Sequence, residues 1–141
     1  MPRHDIYHDC VRNALIKDGW TITHDPLTLP FGGDDIFIDL GAESPIGAIK
    51  GGRKIAVEVK SFRGASGITD LQQALGQYRM YRFALARLDP DRSCFLALTG
   101  EAFGNVFRSV DLLDMIPSED LRLLIFDAVT EEVARWVPSW T

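Results

Sequence analysis

Apolar and polar residues alternate along two short stretches of this chain and recur at helical spacing along two longer ones. Between residues 54 and 60, Ile55, Val57 and Val59 fall on one side and Lys54, Ala56, Glu58 and Lys60 on the other. Strict alternation marks a half-buried strand, because successive side chains leave a strand on opposite faces. Residues 36–40 repeat the pattern, with Ile36, Ile38 and Leu40 on one face and Phe37 and Asp39 on the other. Gly41, Pro45, Gly51 and Gly52 punctuate the connection, and residues 46–50 predict a third short strand within it.

Helical spacing appears first over residues 5–18, where Ile6, Cys10, Val11, Ala14 and Leu15 share a stripe and Gly19 supplies the stop. Residues 20–23 then predict a strand entering the core, and residues 24–33, with Pro26, Pro30 and the Gly32-Gly33 pair, a loop. A long helix is expected over residues 69–88, capped by Thr69 and ended by Asp89-Pro90-Asp91. Leu71, Ala74, Leu75, Tyr78, Arg82 and Leu85 lie along one side of it, and Gln73, Gln77 and Tyr81 form an adjoining row at i, i+4 spacing. Residues 93–99 are continuously apolar, as in a central strand covered on both faces. Residues 101–115 have helical character, 117–120 predict a turn, and 121–126 with 133–137 predict a closing pair of strands. Strands and helices in this order predict an α/β or α+β domain with helices packed on a mixed sheet.

Composition narrows the class. A chain of 141 residues, 46% apolar, can bury the core of one domain spanning 1–141. No apolar run approaches the roughly 20 residues that span a bilayer. The opening MPRHDIYHDC lacks the apolar stretch of a signal peptide. Cys10 and Cys94 are far apart and without metal-ligand spacing, which fits buried thiols in a cytoplasmic setting. The net charge of −5 argues against tight autonomous binding to DNA, whose affinity draws on basic surfaces, and for a partner. Arg79, Arg82, Arg87 and Arg92 are clustered enough to form a local basic patch.

The candidate chemistry follows from the two alternating strands. As neighbours they would bring Asp39, Glu58 and Lys60 onto one face. Hard divalent cations take oxygen ligands and keep several waters, so one or two carboxylates plus substrate phosphate suffice to hold them. Such an ion acidifies a water and neutralises charge on a phosphate, and a lysine can orient that water or stabilise the developing charge. The set is therefore a candidate metal-assisted phosphodiesterase site: Asp39 and Glu58 as ligands, the Val59 carbonyl completing the inner sphere, and Lys60 as the cation. The plainer alternative is a solvated Glu58–Lys60 pair on an exposed strand face. Against it, Asp39 interrupts an apolar strand, and Lys60 precedes a Gly-bounded loop and a long helix.

The order helix, Asp-bearing strand, ExK strand, Gln-bearing helix, strand resembles the core of the PD-(D/E)XK nuclease superfamily. More closely, HDIYHDCVRNALIKDGWTITHDPL, IDLGAESP, KIAVEVKSF, DLQQALGQYRMYR and LRLLIFDAVTEEVARWV resemble the XisH family, the fdxN-element excision controlling factors found mainly in cyanobacteria. The resemblance covers nearly the whole chain. It implies a restriction-endonuclease-like mixed sheet flanked by helices, with Asp39 and Glu58 binding Mg2+ or Mn2+ and Lys60 as the catalytic lysine. Gln77 matches the helix glutamine that accompanies such sites, with Tyr81 one turn on. His8, beside Asp9, holds the place of a first-helix glutamate and could accept a metal or a proton. Ile38 stands where the superfamily has its naming proline. DNA is the implied target and a small protein, XisI, the implied partner; a homodimer is left open. Two functions follow: an endonuclease in programmed excision of a DNA element, or a non-catalytic accessory protein directing a site-specific recombinase.

Overall fold

A computed structural model describes residues 6–45, 52–64 and 66–140. Its centre is a six-stranded sheet made, in spatial order, of β1 (Thr21–His24), β4 (Leu40–Ser44), β5 (Arg53–Val59), β6 (Arg92–Thr99), β7 (Leu123–Asp127) and β8 (Glu132–Val137). The other two strands, β2 (Leu27–Phe31) and β3 (Asp34–Ile38), pair with each other as a separate hairpin. β5, β6 and β7 run parallel, while β1, β4 and β8 extend the sheet antiparallel at its two sides. The sheet is thus mixed, as the element order implied.

Parallel neighbours require crossovers, and helices supply them. α2 (Gly67–Leu88) carries the chain from β5 to β6, and α3 (Gly100–Val106) with α4 (Val110–Ser118) carries it from β6 to β7. On the α2 side, Ala56, Leu96, Leu98 and Ile125 pack against Leu71, Ala74, Tyr78 and Leu85. On the other, α1 (His8–Lys17) lays Cys10, Val11 and Leu15 over Ile55, Val57, Val59, Phe95 and Ala97. The alternation in β5 therefore sorts its apolar residues between two cores. Burial on both faces is also why β6 reads as an unbroken apolar run.

Four expectations are corrected. Residues 24–33 are not all loop, because they contain β2. Its Pro30 lies in a two-stranded hairpin, where a lost ladder donor is tolerated, and Gly32 and Gly33, at φ +65° and +80°, make the turn to β3. Residues 36–40 are not one strand. The chain bends at Asp39 and changes sheets, so Ile38 packs in the α2-side core and Leu40 in the α1-side core. Thr69 is not the cap of α2; the Ser66 side chain is, accepting the Thr69 N–H at 3.3 Å. The helical stretch 101–115 is two helices, each begun by a hydroxyl cap, Thr99 to Ala102 N–H and Ser109 to Leu112 N–H.

The first helix begins at His8, and the closing strands fall where expected. The short strand predicted for residues 46–50 lies outside the described residues. Among the described residues, no helix is long and apolar enough to cross a membrane.

Candidate functional site

The bend at Asp39 turns its carboxylate toward the end of β5. Asp39 Oδ2 accepts the Val59 N–H at 2.8 Å, and the Asp39 N–H donates to Glu58 Oε1 at 3.2 Å. Each acid thus binds the main chain next to or at the other, and the bend stays locked to the strand. Glu58 lies on the α2 face of β5 and is buried. There Tyr81 of α2 donates its hydroxyl to Glu58 Oε2 at 3.1 Å. Lys60 leaves the sheet just beyond, its N–H still bonded to Ala97 O at 2.9 Å. Its Nζ sits 3.7 Å from Glu58 Oε2, with the side chain 26% exposed.

Burial of Glu58 beside Asp39 sets its electrostatics. The Glu58 carboxyl is pushed up to about 8, first by desolvation and second by the Asp39 charge, with Lys60 partly offsetting both. Around neutral pH the protonated form of Glu58 is therefore the favoured one. Burial, reinforced by Glu58, likewise raises the Tyr81 hydroxyl and keeps it a donor.

On the opposite side, α1 brings the buried His8 to Asp39, its Nδ1 4.0 Å from Asp39 Oδ1. The other ring nitrogen, Nε2, is 2.7 Å from Asp25 Oδ1, and Arg12 binds the second oxygen of Asp25. Asp39, Glu58, Val59, Lys60 and Tyr81 accordingly meet at the end of β5, and His8 stands behind Asp39 on the α1 side. Gln77 is exposed on α2, and among the described residues no hydrogen bond links it to the acids. Gln73, one turn nearer the helix start, borders a recess with Lys60 instead. Asp25 and Arg12 had no sequence signal, since a lone acid in a turn and an arginine on a helix belong to no pattern.

The donor set fits a hard divalent cation. Asp39 and Glu58 offer carboxylate oxygens whose second lone pairs remain after the bonds named above. A carboxyl whose proton is retained by burial and a neighbouring negative charge is one that a cation would displace. Among the described residues no group of three His, Cys, Asp or Glu side chains is placed to hold a metal. Two carboxylates and a main-chain carbonyl are donors of the kind that an ion keeping most of its waters accepts.

A mixed six-stranded sheet with helices on both faces, and a half-buried and a buried acid with a lysine where its central strand ends, make this an α/β domain with an acid pair at the end of β5. The chain belongs to the XisH family: the model of that family, XisH protein, matches residues 1–134. It is similar to the crystal structure of an XisH family protein from Nostoc punctiforme PCC 73102, with a TM-score of 0.84 at 39% identity over 94% of this chain and 98% of that one. It is similar also to the crystal structure of a fdxN element excision controlling factor protein from Anabaena variabilis, with a TM-score of 0.84 at 37% identity over 95% of this chain and 99% of that one. A comparison with curated proteins finds no match.

Proposed function

We propose that this chain is a magnesium- or manganese-dependent DNA endonuclease acting in the programmed excision of a DNA element. The observation that carries the reading is the Asp39–Glu58 exchange at the end of β5, with Glu58 buried and the Lys60 ammonium 3.7 Å from it. A solvated Glu–Lys pair on a strand face would leave Glu58 exposed, whereas it is 7% exposed and bonded by Tyr81. Order and direction of β4, β5, α2 and β6 support a restriction-endonuclease-like core around it. The excision of an fdxN element, named for the Anabaena variabilis relative, supports the biological setting.

A bound magnesium or manganese ion would supply Lewis acidity at the phosphate and a more acidic water beside it. Asp39, Glu58 and the Val59 carbonyl are the groups that would hold such an ion. Tyr81 keeps the Glu58 carboxyl aimed by its hydrogen bond. Lys60, outside the inner sphere and partly exposed, is placed to balance charge building on the phosphate. His8, held by Asp25, braces the far side of Asp39.

The net charge of −5 favours a second reading, an accessory protein that reaches DNA through a partner such as a small XisI-like protein. One experiment separates the two. Supercoiled and branched DNA are incubated with manganese and either wild type or Lys60→Ala, with and without the XisI-like protein. Cleavage by wild type and its loss in Lys60→Ala, with manganese affinity retained, is the expected result. Equal cleavage by the variant removes Lys60 from the chemistry. Intact DNA in every tube, with the protein complex still formed, transfers the reading to the accessory protein.

A further inference from the structure

Beyond β5 the chain does not run straight into α2. It folds one wall of a recess of about 230 Å³ whose lining includes Lys60, Phe62, Arg63, Gly64, Asp70 and Gln73. Two features show that this wall is built. Phe62 has a φ of +53°, in the left-handed region that bulky residues rarely occupy unless their surroundings enforce it. Gly64 donates its N–H to Asp70 Oδ2 at 2.9 Å, clasping the wall to the first turn of α2. A Cβ at Gly64 would lie 2.4 Å from Asp70 Oδ1, so a larger residue there would push the Asp70 carboxylate aside.

The chemistry of the lining is specific in combination. Lys60 and Arg63 are cationic in a chain of net charge −5. Phe62 packs partly on the α2-side core and lends the rest of its ring to the recess, and the exposed Gln73 carries a side-chain amide that can both donate and accept. Asp70, the carboxylate in the set, is engaged by Gly64.

We infer that this recess holds one unpaired nucleotide of the DNA strand at the cleft. Phe62 meets the face of the base, Gln73 its edge, and Arg63 with Lys60 the flanking phosphates. In a duplex both faces of a base are covered by its neighbours, so an aromatic side chain can stack only on a base that is single-stranded or turned out. At about 230 Å³ the recess is of the size of a single base with its sugar. Resting on the nuclease reading, this narrows the substrate class to single-stranded, frayed or branched DNA, with intact duplex disfavoured.

The test measures binding without cleavage. Dye-labelled single-stranded, forked and fully paired oligonucleotides are titrated with the full chain in EDTA at low salt, and anisotropy is followed. Wild type is expected to prefer single-stranded and forked DNA over duplex. Phe62→Ala and Gln73→Ala should weaken single-strand binding by roughly tenfold, in keeping with loss of one stacking or base-edge contact. Phe62→Tyr should restore it. With 2-aminopurine in the strand, wild type should quench its emission and Phe62→Ala should not. Gln73 is exposed, so its variant carries the test if Phe62→Ala fails to fold. Equal affinity of wild type and both variants for the forked strand, or no preference over duplex, overturns the inference. A chain that binds forks through Phe62 yet cuts nothing keeps the recess and loses the nuclease. A chain that cuts through Lys60 but ignores Phe62→Ala loses only the recess.

Discussion

Glu58 carries into the folded state a proton that the unfolded chain has released at neutral pH. Its carboxyl sits at about 8 in place of the ordinary 4.5, because burial penalises the charged form and Asp39 repels it. Between those values the folded chain binds more protons than the unfolded one. Stability from this group is therefore complete below the unfolded value, declines as pH rises through the window, and levels off above the folded value. In EDTA the melting temperature of the wild type should fall between pH 5 and 8, and Glu58→Gln should flatten that fall. Parallel curves for the two proteins would remove Glu58 as its source. Calorimetry in buffers of different ionisation enthalpy should also detect proton release when manganese binds at pH 7.

At this scale Glu58 and Lys60 were legible in the sequence, since the alternation of β5 is local. Tyr81 was legible as part of a polar row, but not its hydrogen bond to Glu58. Gln73 and Gln77 look equivalent in that row. Only the tilt of α2 over the end of β5 puts Gln73 beside Lys60 and leaves Gln77 in solvent.

Elements were readable where one sheet governs both neighbours of a residue, and unreadable where the chain changes sheets. A strict period-2 pattern runs through residues 36–40 although the strand breaks at Asp39, because the hairpin and the main sheet each bury one neighbour of that acid. Pro30 and the two glycines masked β2 for a related reason. Local composition announces a turn without saying that a strand precedes it. The hairpin is more than an ornament on α2. Leu27 and Leu29 are buried against that helix, and β3 leads directly into Asp39. Leu29→Ala should destabilise the hairpin by about 2–5 kcal/mol, the range for a buried leucine truncation. Hydrogen exchange should show β2 and β3 opening together, and manganese affinity should drop although Leu29 contacts no ligand. Unchanged affinity in a demonstrably loosened hairpin would show that the bend at Asp39 is held by β5 alone.

Across the whole molecule, residues 71–88 of α2 contain no acid and three arginines, in a chain of net charge −5. Two of them turn toward the far end of the sheet, Arg82 to Asp120 at 2.9 Å and Arg79 to Glu119 at 3.8 Å. Tyr78 completes the link from inside. Its hydroxyl donates to Asp120 O at 2.8 Å and accepts the Arg122 N–H at 3.1 Å. Of the arginine cluster visible in the sequence, Arg79 and Arg82 fasten α2 to the approach to β7, while Arg92 is buried in bonds to Asp89 and Ile55 O and adds nothing to a basic patch. Tyr78→Phe keeps the packing but leaves these main-chain groups without the hydroxyl, and should cost about 1–3 kcal/mol in urea denaturation. A midpoint equal to that of the wild type would mean that water replaces it freely.

Asp39 and Glu58 each have two employers. As acceptors they hold the bend to β5, and in the proposed reaction they would offer a cation their oxygens. Over evolutionary time this ties two pressures to the same atoms. A lineage that had stopped cutting DNA would still be held to both acids by its need to fold. Lys60 carries no such obligation: its side chain is 26% exposed and meets Glu58 only across 3.7 Å. Among descendants of this chain, a working enzyme and a retired one would keep the same acids and part at the lysine.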